Sequence, residues 1–184
     1  MFSSCQIRSF SVLGIIATAL TSASVVTASP ERSFFRQSPR LLKVMTTYGE
    51  VSVRVAKYYI TIDLPENAGQ SLGNVTISQR QGFQQFVFVP DETFAFMGTR
   101  NQRGEAINIS RVDYNPRNKN TISVTFDPPI PPGNTFTLGL KPESNPDYDG
   151  IYLLGITAYP VGEKPEGLYL GVGRLTFYRS GNSW

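Results

Sequence analysis

A period-two alternation of apolar and polar residues recurs along the chain from residue 41 to the C-terminus. It is clearest at residues 51–55, 58–64, 74–78, 121–126 and 135–140. Alternation of this kind places one face of a strand against a core and the other toward water, which is typical of antiparallel sheets. Apolar residues with helical spacing never extend beyond about two turns after residue 28. The chain is therefore predicted to be all-β.

Breaks in this pattern divide the strands. Residues 85–89 and 151–158 are apolar at both parities and predict central strands. A change of phase near Ser110 and Arg111 predicts a bulge or a turn. Residues 127–133 hold four prolines and predict a loop, because proline cannot donate a hydrogen bond to a ladder.

About nine strands at intervals of roughly 8–12 residues predict a β-sandwich. We expect an antiparallel, immunoglobulin-like sandwich, with a jelly roll or a barrel as the alternative. A single domain is predicted for residues 41–184, because neither a repeat nor a linker divides them. Residues 29–40 contain charges and two prolines without a clear period, and they predict an extended lead-in to the domain.

Residues 1–28 have the organisation of a secretory signal peptide. Arg8 supplies a positive charge, residues 10–20 form an apolar segment, and small residues precede a predicted cleavage site between Ala28 and Ser29. A cut after Ser24 is the alternative. The apolar segment is shorter than the about 20 residues that a membrane-spanning helix needs. We therefore expect export to the periplasm, the envelope or the exterior, with a retained leader acting as a membrane anchor as the alternative.

The chain has no histidine, and its one cysteine, Cys5, lies in the predicted leader. A Ser-His-Asp or Cys-His nucleophile and the usual histidine or cysteine metal sites therefore cannot be built from this sequence. The patterns G-x-S-x-G, S-x-x-K and the P-loop are also missing from it. The sequence predicts a protein that is not an enzyme and that holds no cofactor.

The charge of the chain is close to balanced. Its formal net charge is +3, and removal of Arg8 with the leader would leave 16 basic residues against 14 acidic ones. A balance this even generates no long-range field that would favour nucleic acid. The sequence predicts no nucleic-acid partner, and a membrane contact only through an uncleaved leader.

Four tyrosines in the C-terminal third form the main ligand-binding hypothesis. They lie among glycine and proline turns, and exposed tyrosine rings can stack on sugars or anchor a protein partner. The competing interpretation is that they are core or strand-edge residues. The four candidates are Tyr148, Tyr152, Tyr159 and Tyr169.

A second hypothesis concerns calcium. Asn145, Asp147 and Asp149 place oxygen atoms at alternate positions before Gly150, which is how a calcium loop opens. The twelfth position of such a loop would be Ile156, where a glutamate is expected. Asparagine, aspartate and proline are also ordinary turn residues, so a plain turn is the alternative.

Several stretches together resemble a known family. They are residues 58–69 (YYITIDLPENAG), 75–80 (VTISQR), 94–100 (FAFMGTR), 121–140 (TISVTFDPPIPPGNTFTLGL) and 151–179, including AYPVGEKP. The combination, which covers about residues 40–180, is similar to the domain of unknown function 2808 family of cyanobacterial exported proteins. The resemblance implies a bacterial envelope setting and brings no catalytic residues with it.

Three functions remain open from these observations. The preferred one is a non-enzymatic binding or structural module of the cell envelope, with an envelope glycan or protein as its partner. The second is an accessory subunit of a larger envelope assembly that pairs through an edge strand. The third is a hydrolase of envelope polymers that uses paired carboxylates such as Asp147 and Asp149, or Glu163 and Glu166.

The leader hypothesis predicts a mature chain that begins at Ser29, because small residues precede that bond. Intact-mass measurement of the protein from periplasmic and extracellular fractions should show the loss of residues 1–28. Recovery from the cytosol with Met1 still present would contradict export. An intact leader in a membrane fraction would identify the retained anchor instead.

Overall fold

A computed structural model describes residues 31–115 and 121–181 of the 184-residue chain. The predicted signal peptide lies outside the described residues. Within them, two 3-10 turns occur at Glu66–Ala68 and Pro90–Glu92. The strands are β1 (Arg32–Ser33), β2 (Arg40–Thr46), β3 (Tyr58–Leu64), β4 (Leu72–Gln81), β5 (Phe94–Thr99), β6 (Gln102–Ile107), β7 (Ile109–Asn115), β8 (Thr121–Ile130), β9 (Asn134–Leu140), β10 (Gly150–Pro160), β11 (Lys164–Pro165) and β12 (Leu168–Phe177).

Ten of these strands form two antiparallel five-stranded sheets. Sheet I has the order β12-β10-β4-β8-β7, and sheet II has the order β2-β3-β9-β5-β6. The short strands β1 and β11 pair with each other in parallel. The buried apolar residues of the two sheets form one core cluster. The prediction of an antiparallel β-sandwich is therefore confirmed.

The connectivity is that of an immunoglobulin-like sandwich with an insertion. In sheet II, β2, β3 and β9 are adjacent in the way that strands A, B and E are, and in sheet I, β12, β10 and β4 are adjacent as G, F and C are. The strands β5, β6, β7 and β8 follow strand C in the chain and widen both sheets. The immunoglobulin-like expectation is confirmed, and the jelly roll and barrel alternatives are not.

In the alternating segments that form strands, the apolar side chains face the core, as predicted. Each such side chain is removed from water, and burial of a Leu, Ile or Phe side chain is worth about 1.5–3 kcal/mol. The strand residues that fill the centre of the core are Tyr58, Ile60, Ile62 and Leu64 of β3, Val75 and Ile77 of β4, Ile122, Val124 and Phe126 of β8, Phe136, Leu138 and Leu140 of β9, and Leu154, Ile156 and Ala158 of β10.

Two predicted strands prove to be loops. Residues 85–89 run between β4 and β5 and form one isolated antiparallel bridge, from Phe88 to Pro142, instead of a ladder. Phe86 and Phe88 enter the core while Val87 stays exposed. Residues 51–55 form turns, with Ser52 at a φ of +58°. In both places, alternate side chains contact the core from segments that belong to neither sheet, so the apolar pattern has a period of two without a strand of the sandwich. The central strand predicted at residues 151–158 is confirmed, because β10 pairs with both β12 and β4.

Bulges shape the ladders where the sequence breaks its phase. A register shift between Ile109 and Arg111 leaves Ser110 unpaired, as the phase change predicted. The proline loop was predicted to begin at Asp127, but β8 continues to Ile130, which pairs with Leu72. Pro128 and Pro129 fit because the register of β4 and β8 shifts there, so neither nitrogen needs to donate.

One buried amide joins three parts of the chain at one end of the sandwich. The Asn145 Oδ1 atom accepts a hydrogen bond of 3.0 Å from the Tyr58 hydroxyl. The Nδ2 atom of Asn145 donates to the carbonyl oxygens of Tyr48 (3.0 Å) and Glu50 (2.7 Å). Asn145 is only 1% exposed. Its amide therefore satisfies a buried hydroxyl and holds the β2–β3 loop against the β9–β10 loop.

Replacement of Asn145 by alanine is expected to lower the free energy of unfolding by about 2–4 kcal/mol, because the buried Tyr58 hydroxyl loses its partner and two carbonyls lose a donor. Urea denaturation of the purified domain measures this change. Asn101→Ala, in the exposed turn between β5 and β6, is the matched control and should change stability by less than about 0.5 kcal/mol. Equal values for the two variants would show that the buried amide is not a stabilising contact.

Candidate functional site

Three of the four carboxylates proposed for hydrolysis have partners in the fold, and Glu163, the fourth, is exposed. Asp147 accepts a hydrogen bond of 2.6 Å from the Ser52 hydroxyl and one of 3.4 Å from Gln84. Asp149 forms an ion pair with Arg179 at 3.3 Å. Glu166 pairs with Arg32 at 3.0 Å. These carboxylates act in surface contacts between loops, and the contacts give no support to the hydrolase hypothesis.

The three residues of the calcium hypothesis are likewise engaged separately. The amide oxygen of Asn145 is used by Tyr58 inside the protein, whereas Asp147 and Asp149 contact a serine and an arginine at the surface. The described residues contain no group of three or more Asp or Glu side chains that could hold a metal ion. The observed contacts of Asn145, Asp147 and Asp149 fasten the β9–β10 loop to β3, to the β2–β3 loop and to Arg179.

Tyr152 is not available to a ligand, so this part of the tyrosine hypothesis is wrong. Its side chain is 0% exposed and packs against Phe86 and Phe177, with ring centroids 5.3 and 5.4 Å away. Its hydroxyl donates to the carbonyl oxygen of Tyr148 at 3.0 Å. A buried tyrosine near the start of strand F that bonds back to the preceding backbone is a tyrosine corner, a structural feature of immunoglobulin-like sandwiches.

Tyr148 lies apart from the remaining two tyrosines. It belongs to the β9–β10 loop and is 56% exposed, near the Asp147 contacts described above. Tyr159 and Tyr169, by contrast, lie on the two adjacent strands β10 and β12. The structure thus separates the four sequence candidates into a core residue, a loop residue and a strand pair.

The strand pair lies on the outer surface of sheet I. Thr157 is the cross-strand partner of Tyr169, so Tyr159 is its diagonal neighbour on the same face, at a separation of roughly 7–8 Å. Tyr169 is 48% exposed and Tyr159 is half-buried. The ring of Tyr159 packs over Gly167, where any side chain would collide with it.

Arg80 extends this surface across the sheet. Its side chain crosses Gly155, where a Cβ atom would lie only 3.0 Å from the Arg80 Cγ, and its guanidinium reaches the ring of Tyr169 at 5.7 Å. The contact is a cation–π interaction, which holds a flexible side chain in one position. We call the surface formed by Tyr159, Tyr169, Arg80 and the neighbouring hydroxyl rows the tyrosine face.

Two rows of hydroxyl and amide groups border the tyrosine face on β4 and β8. They pair across the strands at 2.9 Å for Asn74 with Thr125 and at 3.1 Å for Thr76 with Ser123 and for Ser78 with Thr121. A hydroxyl that donates one hydrogen bond keeps capacity to accept others. These rows therefore fix one another and still present acceptors toward the surface.

A polar groove of about 410 Å³ adjoins Arg80 at the end of this surface. Ser78, Thr121, Gln81 and Gln85 line it together with Arg80, so its walls offer amides, hydroxyls and one cation. Flat aromatic rings beside neutral polar groups are suited to a polysaccharide, whose sugars present an apolar face and a rim of hydroxyls. The sequence identified the tyrosines, but it could not place Arg80 beside them, because that contact depends on the register of three strands.

None of the described helical segments has the length and apolarity that a membrane span requires. The family model described as "Protein of unknown function (DUF2808)" matches residues 32–177. No curated protein is similar enough in sequence to count as a relative.

Several solved structures are similar in fold. The bacterial hydrophobin BslA is 17% identical, with a TM-score of 0.43 over 79% of this chain and 98% of that one. The collagen-binding subdomain of the Enterococcus faecalis surface protein ACE is 8% identical, with a TM-score of 0.43 over 80% and 99%. The collagen-binding domain of a Staphylococcus aureus adhesin is 14% identical, with a TM-score of 0.38 over 75% and 98%. Likeness at this level transfers no ligand to the present chain.

The buried tyrosines predict how stability depends on alkaline pH. Burial raises the pKa of the Tyr58, Tyr114 and Tyr152 hydroxyls. A phenol whose pKa is higher in the folded chain than its unfolded value of about 10 stabilises the fold fully below that pH, and the contribution is lost as the pH rises beyond it.

We therefore expect the urea midpoint to fall steeply above about pH 10. The Tyr152→Phe variant should show a shallower fall, since one buried ionisation is removed. Denaturation midpoints measured from about pH 8 to pH 11 test this, and a midpoint that stays constant over that interval would contradict it.

Proposed function

Because the chain belongs to the DUF2808 family of proteins of unknown function, we propose from its own surface that it is a non-catalytic binding module of the cell envelope that recognises polysaccharide. The observation that carries this proposal is the tyrosine face, where two aromatic rings, a stacked guanidinium and rows of hydroxyls share one surface of sheet I. Residues 1–28 support the envelope location, since their sequence has the organisation of an export signal.

The geometry of the face supports a sugar polymer as the ligand. Tyr169 is half exposed although it lies beside Arg80, so part of its ring remains accessible. Tyr159 packs over Gly167 and Tyr169 contacts the Arg80 guanidinium, so little side-chain entropy is lost when a ligand covers the two rings. A flat surface on a sheet also has no closed end, so it can accept an internal stretch of a long chain.

The nearby polar groups fit the same ligand. Thr76, Ser123 and Thr125 present oxygen acceptors beside the rings, and the groove next to Arg80 continues this polar surface. The ion pair of Arg111 with Asp113 (2.6 Å) lies at the far edge of sheet I and is internally neutral. Arg80 stacks on Tyr169, and the hydroxyl and amide rows beside it are uncharged, so we assign a neutral polysaccharide to this face.

The double variant Tyr159→Ala, Tyr169→Ala is expected to weaken binding to a neutral polysaccharide by about tenfold or more, because two stacking contacts are removed. The probes are dextran and hydroxyethyl cellulose in affinity gel electrophoresis, and peptidoglycan sacculi in co-sedimentation. The matched control is Tyr48→Ala, Tyr148→Ala, which removes two exposed rings away from the tyrosine face.

The wild-type domain should bind at least one probe, and the control should bind it as tightly as the wild type. Failure of the wild-type domain to bind any of the probes would overturn the proposal. A loss in the control equal to that in the double variant would move the site to the loop end. Circular dichroism and urea midpoints must show that the variants remain folded, since Tyr159 also packs over Gly167.

A further inference from the structure

The outer surface of sheet II carries a second group of aromatic residues, on the opposite side of the sandwich from the tyrosine face. Tyr59 of β3 meets Phe94 and Phe96 of β5 at centroid distances of 6.0 and 6.5 Å, and Phe94 stacks on Phe96 at 6.3 Å. Gly139 of β9 lies beneath Phe94, where any side chain would collide with the ring. Phe96 is 1% exposed although it lies outside the core cluster, so other groups on this surface shield it.

The shielding groups include cations. The Arg103 guanidinium lies 4.6 Å from the centroid of Phe96, and that of Arg100 lies 5.3 Å from the centroid of Tyr59. The Lys57 ammonium lies 5.3 Å from the centroid of Phe94. Cation–π contacts of this kind hold long side chains over the rings, and a stacked guanidinium still exposes the N–H groups at its edge.

The β5–β6 hairpin brings two of these arginines over the sheet. Gly98, with a φ of +84°, lies at a bulge in β5 just before the turn, and its carbonyl oxygen accepts a hydrogen bond of 2.8 Å from the Thr137 hydroxyl. Thr137 is fully buried and lies 3.0 Å from the hydroxyl of Thr61. The hairpin end is therefore fastened to the outer surface of β9.

Between this hairpin and β2 lies a groove of about 300 Å³. Lys43 and Leu42 line it from β2, Thr61 from β3, and Thr99, Arg100 and Asn101 from the hairpin turn. Two cations thus enter the groove, Lys43 from β2 and Arg100 from the hairpin turn, with hydroxyl and amide groups between them. We call this feature the basic groove.

Charge on this surface is strongly unbalanced. The carboxylate of Asp63 on this surface is already neutralised, because Arg40 forms an ion pair with it at 2.7 Å and the Thr135 hydroxyl donates to it at 2.9 Å. Lys43, Lys57, Arg100 and Arg103 form no ion pair with a carboxylate of residues 31–115 and 121–181. Glu105 of β6 is exposed and unpaired in the same ranges. Lys43, Lys57, Arg100 and Arg103 therefore give this surface more positive than negative charge.

We propose that the basic groove and its cation-covered aromatic cluster bind an acidic polysaccharide, with Lys43, Arg100 and Arg103 contacting its carboxylate groups. Arginine edges match a carboxylate in two-point geometry. Thr99 and Asn101 supply hydrogen-bonding groups for the sugar hydroxyls between the charges. The proposal concerns a different face and a different ligand class from the tyrosine face.

The structure favours this ligand over two other polyanions. Single-stranded nucleic acid binds by stacking bases on open aromatic faces, but here the cations cover Tyr59, Phe94 and Phe96. An anionic membrane surface is bound most strongly when apolar side chains also enter the interface. Of the groove residues, Leu42 is the exposed large hydrophobic side chain, at 53%.

The test compares two double variants that remove the same charge from opposite faces. Arg100→Gln, Arg103→Gln acts on sheet II, and Arg111→Gln, Arg174→Gln acts on the outer face of sheet I. Polygalacturonate is the probe, in affinity gel electrophoresis and calorimetry, with dextran as the neutral polymer. Vesicles of phosphatidylglycerol and phosphatidylcholine and a single-stranded oligonucleotide are the competing polyanions.

Polygalacturonate binding should weaken by about tenfold or more in the sheet II variant and by less than about twofold in the sheet I variant. It should also weaken as salt is added, since the contacts are charged. Absence of polygalacturonate binding by the folded wild-type domain would overturn the proposal, as would equal losses in the two variants. Tighter binding to the vesicles or the oligonucleotide, lost in the sheet II variant, would replace it with that ligand.

Removal of the rings from the tyrosine face distinguishes this inference from the proposed function. Polygalacturonate binding is expected to persist in Tyr159→Ala, Tyr169→Ala, because those rings lie on the other sheet. A variant that loses both activities together would indicate a single site, and it would contradict the assignment of the acidic polymer to sheet II.

Discussion

Noncovalent packing around Tyr58 joins the two sheets, since the chain has no cysteine after residue 5. The Tyr58 ring of sheet II lies 6.0 Å from Phe177 of sheet I and 5.1 Å from Phe86 of the β4–β5 loop. Its hydroxyl is satisfied by the Asn145 amide, which avoids the cost of an unpaired buried donor. Strands of both sheets, the β4–β5 loop and the tyrosine corner at Tyr152 all contact this cluster. Residues on the outer faces of the sheets do not take part in it.

The sequence predicts strands well where one face of the strand is buried against the opposite sheet and the other face is exposed to water. Residues 58–64 and 135–140 alternate because their inner parity is buried and their outer parity is not. The same alternation misleads at residues 51–55, where Val51 and Val53 contact the core from turns held by Asn145. At residues 85–89, Phe86 and Phe88 enter the core from a segment whose only backbone pairing within the described residues is a single bridge from Phe88 to Pro142.

The candidate sites could be predicted only in part, for a related reason. Tyrosine content identifies Tyr159 and Tyr169, but it cannot distinguish them from the buried Tyr152, whose position follows from the strand F corner. The basic groove leaves almost no local signature, because Tyr59, Phe94 and Arg103 meet only through the pairing of β3, β9 and β5. Basic and aromatic residues a few positions apart are common in any sequence. Only the register of the strands determines which of them lie side by side on one surface.

The placement of the two faces on opposite sheets has a mechanical consequence. If each face holds a polymer, tension between the polymers acts perpendicular to the planes of the two sheets and tends to separate them. Resistance then comes from apolar packing around Tyr58 and from the covalent crossings between the sheets, such as the passage from β6 to β7 at Asn108. Backbone ladders, which resist shear along the strands, would carry little of that load, so the domain would serve as a compliant link and not as a rigid one.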